Sequence, residues 1–321
     1  MMTERALGAT GIQVTRIGLG CWQFSGSGGL AGRYWPALPQ EAVNGIVRAS
    51  LEGGVRWFDT AEAYGAGNSE AALSAALQAA GRDDGSVVIA TKWLPLLRTA
   101  GSIRKTIDDR LRELAPYSID LHQIHIGYGS LSSKRAQVEA MARLVESGRI
   151  RAVGVSNFSA RAMRLASRVL ARHGLALASN QVRYSLLDRR LERNGVLAAA
   201  RELGATIIAY SPLAQGLLSG KFHDDPERVK RLGGPRRLLR QFRPRGLRRS
   251  EPVVSMLKEV AAAHGALPAQ AALRWLVQQD GVVAIPGASS PEQARQNAAA
   301  LDFTLTDAEV DALERVSRAF L

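Results

Sequence analysis

From residue 40 onward the chain alternates short apolar runs with longer segments in which apolar residues recur every three or four positions. Runs at about 55–59, 87–91, 121–125, 151–155, 177–182 and 206–210 are rich in β-branched, aliphatic and aromatic residues and have the length of buried strands. Between them, segments at about 40–52, 68–80, 101–114, 134–147, 159–172 and 190–203 have helical periodicity. Two further helices at about 251–264 and 268–279 precede a last apolar run, Val282-Val283-Ala284-Ile285. At the other end, residues 5–20 predict a hairpin around Gly8 to Gly11 leading into a strand that ends at Gly20. With the run at 17–20 there are eight strands separated by helices, and no Pro/Gly-rich linker divides the series. This predicts an α/β fold: a closed (β/α)8 TIM barrel with an N-terminal β-hairpin and long loops on its C-terminal face, in one domain over residues 1–321. A doubly wound open sheet is the competing architecture, but no GxGxxG follows the first strand.

Composition narrows the function class. Hydrophobic residues make up 46% of the chain and charged residues 22%, as in ordinary globular proteins, and no apolar run approaches the roughly 18 residues of a membrane span. Met1 to Arg16 lacks an apolar signal core, which predicts a cytoplasmic protein without a membrane partner. One cysteine, Cys21, and five scattered histidines offer neither an internal disulfide nor metal-ligand spacing, so no metal is expected. The net charge is +13, but ten Lys and Arg with no intervening acid fall between Arg228 and Arg249. The excess is therefore local. That stretch has Phe242 as its one aromatic, so it lacks the stacking platforms of a single-strand binder and no nucleic-acid partner is expected. Nothing in the pattern specifies an oligomeric state.

Candidate chemistry collects at the strand ends. The run ending at Phe58 is followed by Asp59 and, within the next turn, Tyr64; Lys92 follows the run 87–91, and His125 ends the run 121–125. In a barrel these C-terminal strand ends share one mouth, where active sites form. The long loop after Gly20 carries Trp22, Phe24, Tyr34 and Trp35 among Gly26, Gly28, Gly29 and Gly32, a composition suited to lining a pocket.

These residues lie in motifs that resemble those of the aldo-keto reductases. The matching stretches are Asp-Thr-Ala-Glu-Ala-Tyr-Gly at 59–65, Thr-Lys at 91–92, Gln-Ile-His at 123–125, Gly-Arg-Ile-Arg-Ala-Val-Gly-Val-Ser-Asn-Phe at 148–158, Asn-Gln-Val at 180–182, Ala-Tyr-Ser-Pro-Leu at 209–213 and Ile-Pro-Gly-Ala at 285–288. The resemblance implies reduction of a small-molecule aldehyde, ketone or sugar with a nicotinamide cofactor, and a catalytic tetrad of Asp59, Tyr64, Lys92 and His125. Carbonyl reduction builds charge on oxygen, so a proton donor is needed there. Tyr64 is the natural acid. A free phenol lies about three pKa units above neutrality, a gap of roughly 4 kcal/mol. An ammonium about 4 Å away at an effective dielectric near 20 is worth a similar amount. Lys92 alone is thus expected to tune Tyr64, with Asp59 holding the ammonium and His125 orienting the carbonyl.

The same resemblance implies that Ser156, Asn157 and Gln181 meet the nicotinamide carboxamide and that Tyr210 stacks on its ring, with Ser211, Pro212, Leu213, Gly216 and Leu217 along the pyrophosphate. Gly20, Trp22, Ile285, Gly287, Ser289, Gln293 and Asn297 complete the implied cofactor site; Trp22, Trp93 and His125 are the implied substrate-pocket walls. Ser289-Ser290-Pro291-Glu292 predicts an N-capped helix opening on an anion site. Two departures stand out. Ile126 and Gly127 replace the Trp-Pro many members carry, and Gly287 and Gln293 replace the Lys and Arg that some use for the 2′-phosphate. NADP(H) is still expected to be favoured over NAD(H), with Lys221 or arginines within 228–249 supplying the charge; the competing expectation for that segment is a solvated loop. A cofactor-binding sensor or regulatory subunit with little turnover is the alternative function on this fold.

Overall fold

The computed structural model describes residues 4–26 and 34–321. Gly28, Gly29 and Gly32 of the aromatic loop lie outside the described residues. The hairpin pairs β1 (Glu4–Ala6) antiparallel with β2 (Gln13–Thr15). Both Gly8 and Gly11 take positive φ in its turn, the conformation that only glycine adopts freely.

Eight parallel strands follow in simple sequence order: β3 (Leu19–Gly20), β4 (Trp57–Asp59), β5 (Val88–Trp93), β6 (Leu121–Ile124), β7 (Ala152–Ser156), β8 (Leu177–Arg183), β9 (Thr206–Tyr210) and β10 (Val282–Ala284). The sheet closes on itself. Ile17 bridges Ala284 and Gly20 bridges Gly287, and Gly18 N–H donates to the Ala284 carbonyl at 2.9 Å. Glycine at 20 permits that closure, because a Cβ there would stand 2.8 Å from the Ile285 carbonyl oxygen.

Inside the barrel, near the strands' N-terminal ends, Trp57, Leu121, Ile208 and Val283 pack with Ala90, Ala152 and Ala178. Leu7, Ile12 and Val14 of the hairpin join this layer. Thr206 Oγ1 also accepts from Gly8 N–H at 2.9 Å, so the hairpin plugs that end. The opposite mouth is left for chemistry.

Outside, a larger apolar core joins the sheet to helices α1 (Gln40–Glu52), α2 (Asn68–Ala79), α3 (Gly101–Leu114), α4 (Lys134–Glu146), α5 (Ala160–Ala171), α6 (Val196–Glu202), α7 (Lys221–Asp224), α8 (Pro244–Ala263), α9 (Pro268–Gln278), α10 (Pro291–Ala298) and α11 (Asp307–Val316). The cap predicted at Ser290 is present: its Oγ accepts from Gln293 N–H at 3.3 Å, with Pro291 at the first helical position.

Three expectations differ in their bounds. The helix expected over 190–203 is a single 3₁₀ turn at Arg190–Glu192 followed by α6, because Gly195 at φ 83° breaks the run. β5 continues through Lys92 and Trp93. The helix expected from 251 begins at Pro244, so the last residues of the arginine-rich stretch are its opening turns, and the rest forms 3₁₀ turns at Pro226–Arg231, Gly234–Leu238 and Arg240–Phe242. No helix among the described residues is long and apolar enough to cross a membrane.

Candidate active site

Strand pleating aims alternate side chains into the barrel. At the mouth this brings Asp59 from β4, Lys92 from β5 and Gln181 from β8 together with Gln123 from β6, all at most 2% exposed. Lys92 Nζ ion-pairs with Asp59 Oδ1, donates to the Thr60 carbonyl at 2.7 Å and lies 3.5 Å from Tyr64 Oη. Asp59 Oδ2 accepts from Gln181 Nε2 at 2.8 Å and from Gln123 Nε2 at 3.1 Å. Both carboxylate oxygens are therefore engaged.

This geometry sets the protonation states. Burial pushes the Lys92 pKa down, but Asp59 outweighs it and holds the group above its usual value as an ammonium. For Tyr64 burial raises the pKa, Lys92 opposes it and Asp59 reinforces it, so the phenol lies above its ordinary range. The expectation that Lys92 would draw Tyr64 toward neutrality is corrected by this balance. The ammonium is neutralised by its own carboxylate, and the desolvation of a buried phenolate prevails. His125 stands edge-to-face with Tyr64, ring centroids 5.7 Å apart, and burial followed by the Lys92 charge lowers its pKa to about 3. It is a neutral imidazole whose Nδ1 has no partner among the described residues.

Around this cluster opens a cavity of about 1170 Å³, above the ~300–1,000 Å³ typical of a small-ligand pocket. One wall is aromatic. Trp22 stacks on Tyr34 at 4.6 Å and on Tyr64 at 6.0 Å, with Trp35 edge-on at 6.0 Å. Opposite, Tyr210 Oη donates to Asn157 Oδ1 at 3.1 Å, Asn157 Nδ2 donates to Ser156 Oγ at 3.0 Å, and that hydroxyl donates to the Gln181 carbonyl at 2.9 Å. Asn157 and Ser211 hold positive φ at the ends of their strands. Gly20, Pro212, Leu213, Gly216, Lys221, Ile285, Gly287, Ser289, Gln293 and Asn297 line the same cavity.

Three predicted site residues do not line it. Lys92 is fully buried and stands behind Asp59 and Tyr64, which do. Trp93 follows inward-facing Lys92, so alternation turns it outward into the helix-side core at 1% exposure, where its Nε1 donates to Ser102 Oγ at 3.1 Å. Leu217 is likewise 1% exposed in that core. Conversely, Gln123, a cluster member outside the expected site residues, has the same inward parity as His125 two residues on and donates to Asp59. At Gly287 a Cβ would meet the amide end of the Gln23 side chain at 2.2 Å, so Gln23 would swing aside to admit a side chain there. At Gly127 a Cβ would approach the Asn157 carbonyl to 3.0 Å.

Cations gather at one side of the cavity. Lys221, Arg228 and Arg236 line it, while Arg237 and Arg240 do not. Burial and the neighbouring Arg236 and Arg228 depress the Lys221 pKa. Arg236 lies 4.0 Å over the Trp35 ring and donates to the Gln215 carbonyl at 3.2 Å. Arg236 Nε, Trp22 Nε1, Trp35 Nε1 and Gln215 Oε1 are buried in this wall without partners among the described residues. Buried orphans in a cavity wall are groups a polar ligand would satisfy. No group of three or more His, Cys, Asp or Glu that could hold a metal occurs among the described residues.

The model of the aldo/keto reductase family matches residues 16–318. The chain belongs to that family. It is 41% identical over 309 residues to an uncharacterized oxidoreductase of Mycobacterium bovis, covering 96% of this chain and 91% of that one. It is 31% identical over 319 residues to a chloroplastic pyridoxal reductase of Arabidopsis thaliana, covering 96% and 84%. Among solved structures, a glycerol dehydrogenase from Gluconobacter oxydans superposes with a TM-score of 0.83 at 27% identity over 100% of this chain and 97% of its own. An aldo-keto reductase from Klebsiella pneumoniae in complex with NADPH superposes with a TM-score of 0.76 at 28% identity, covering 99% and 96%. In this family setting the cavity holds a buried ammonium–carboxylate pair behind a protonated phenol, an arrangement able to deliver a proton to an oxygen bound beside it.

Proposed function

We propose that this chain is an NADP(H)-dependent oxidoreductase that reduces an aldehyde or ketone, or oxidises the corresponding alcohol or sugar, with Tyr64 as the proton donor. The observation that carries the reading is the buried Lys92 ammonium held between Asp59 and Tyr64, the two residues that line the cavity in front of it. A reduced nicotinamide, when bound, supplies the hydride. Tyr64 keeps its proton at neutral pH, as an ordinary phenol does and with a margin that burial widens, and a forming alkoxide is a far stronger base than a phenolate, so transfer runs toward the substrate. Lys92 stabilises the phenolate left behind, and neutral His125 can donate an N–H to the carbonyl oxygen without adding a charge that would compete with Lys92.

The orphaned donors and the amide-rich wall fit the cofactor. In this reading Asn157 and Ser156 would meet the carboxamide, and Gln181, whose nitrogen is committed to Asp59, has its Oε1 left to accept from it. Tyr210 offers a ring face beside them. For the phosphates, Lys221 and Arg236 have no carboxylate partner among the described residues, whereas Arg228 is paired with Asp225 at 3.3 Å. We assign the NADP(H) preference to Lys221 and Arg236. The NADPH complex of the Klebsiella relative supports the choice of cofactor.

The test is turnover of an aldehyde panel with NADPH and with NADH, in the wild type and in Tyr64→Phe. The variant keeps the ring and should lose carbonyl reduction by at least 10³-fold while binding NADPH within a few fold. A variant with near wild-type kcat refutes the assignment of Tyr64. Tight NADPH binding with no turnover of any carbonyl by the wild type would favour a cofactor sensor instead.

A further inference from the structure

Beside the cleft lies a second concavity, of about 670 Å³, between the end of β8, the turn at 185–190, the opening of α8 and residues 319–321. Five of its lining residues are arginines, Arg183, Arg190, Arg240, Arg245 and Arg249, against one acidic side chain, Asp188, and the α-carboxylate of Leu321. Asp188 is consumed by Arg190, which donates to both of its oxygens at 2.8 Å. Arg249 donates to the Ala319 carbonyl at 2.7 Å and covers the ring of Phe320 at 4.6 Å. Arg183, Arg240 and Arg245 have no carboxylate partner among the described residues.

The chain raises the positive potential further. α8 opens here with no acid in its first turn and no side chain capping it, and Arg245 and Arg249 stand near its N-terminus. The positive pole of a 20-residue helix therefore faces its own arginines, an arrangement that repels itself until an anion is bound. The floor is apolar, from Leu187, Leu217 and Leu239, which lowers the local dielectric and strengthens any charge bound above it.

We infer that this concavity is a second binding site, distinct from the cofactor cleft, for a small multiply charged anion of the phosphate-ester or pyrophosphate type. Arginine forks donate two hydrogen bonds to such groups. A concave site of this volume suits a small ligand, and its one aromatic lining residue, Phe320, is covered by Arg249 and offers no face to a nucleic-acid base. Arg183 lines both cavities and lies 5.8 Å over the Tyr210 ring, so the two sites adjoin through it.

The experiment titrates inorganic pyrophosphate calorimetrically into the full chain saturated with NADPH, at fixed ionic strength, for the wild type and for Arg240→Gln/Arg245→Gln. Both substituted side chains are exposed, and neither lines the cofactor cleft. The site predicts saturable binding to the wild type, a Kd at least tenfold weaker in the variant, and NADPH affinity within twofold of wild type. Absence of pyrophosphate binding, or equal affinity in the variant, overturns it. Tighter binding of a single-stranded oligonucleotide than of pyrophosphate, lost in the same variant, replaces it with a nucleic-acid surface. No turnover is measured, so the outcome is independent of the reductase reading.

Discussion

Asp59→Asn probes the cluster at its centre. Lys92 is fully buried, and its other acceptors are the neutral Thr60 carbonyl at 2.7 Å and the Tyr64 hydroxyl at 3.5 Å. The two Asp59 oxygens together accept from Lys92, Gln123 and Gln181. An asparagine has one oxygen, so its amide N–H must face a donor whichever way it turns. Removing one partner of a buried ion pair costs about 3–5 kcal/mol. At roughly 2 °C per kcal/mol for a chain of this size, the melting temperature should fall by roughly 6–10 °C. The loss has a pH signature. In the wild type Lys92 has a raised pKa, so its contribution is complete below about pH 10 and is lost as pH rises through the folded value. In the variant burial prevails and the pKa falls, so the gap in melting temperature should narrow at alkaline pH. With Lys92 no longer held charged, kcat should fall by about 10²-fold or more, and its pH dependence should move toward neutrality. Thermal melts at pH 7 and 10, with kcat measured across that range, check both. A melting temperature within about 2 °C of wild type and a kcat within twofold would refute the view that Asp59 keeps the ammonium charged and aimed.

Three further outcomes follow from the same geometry. Asn157→Ala removes an amide that bonds both Ser156 and Tyr210, and should lower kcat by about 10²-fold with a smaller change in NADPH Kd; if neither changes, the nicotinamide lies elsewhere. Lys221→Gln/Arg236→Gln should weaken NADPH much more than NADH, with a loss that shrinks as salt rises, and equal losses for the two cofactors would remove these cations from 2′-phosphate recognition. Glu70 accepts from Thr91 Oγ1 at 2.5 Å and lies 3.0 Å from Arg110 Nε, and burial raises its pKa to about 7 from 4.5 despite Arg110. A raised pKa makes stability fall as pH climbs between those values, by up to about 3 kcal/mol. Urea unfolding of Glu70→Gln should lack that component, so a wild-type minus variant difference that is the same at pH 4.5 and 7.5 contradicts it.

What was legible in the sequence depended on local period. The eight strands and the helices from 40 to 171 fall close to their predicted bounds because each apolar run or stripe packs against a neighbour of matching period. The gathering of Asp59, Lys92 and His125 followed from strand ends alone. Parity carries the rest: the alternation that turns Lys92 inward must turn Trp93 outward, and it must bring Gln123 to the same side as His125. The sign of the Tyr64 shift was not legible, since it depends on how fully Asp59 neutralises Lys92 and how deeply the phenol is buried.

The arginine-rich stretch shows where local reading ends. Its like charges and weak apolar period predicted either a solvated loop or a single closure over the cofactor, and composition cannot separate these. The backbone divides them by a feature that composition does not contain. Successive 3₁₀ turns point Arg228 and Arg236 into the cleft, where Trp35 and Gln215 hold Arg236, and then carry Arg240 and Arg245 around to the second concavity. The partners that decide this are distant in sequence: Trp35 lies some two hundred residues before Arg236, and Ala319 and Phe320 lie about seventy after Arg249. One run of charge thus serves two surfaces. Neutralising Arg236 and neutralising Arg240 with Arg245 should therefore give separable effects, on NADPH in the first case and on pyrophosphate in the second.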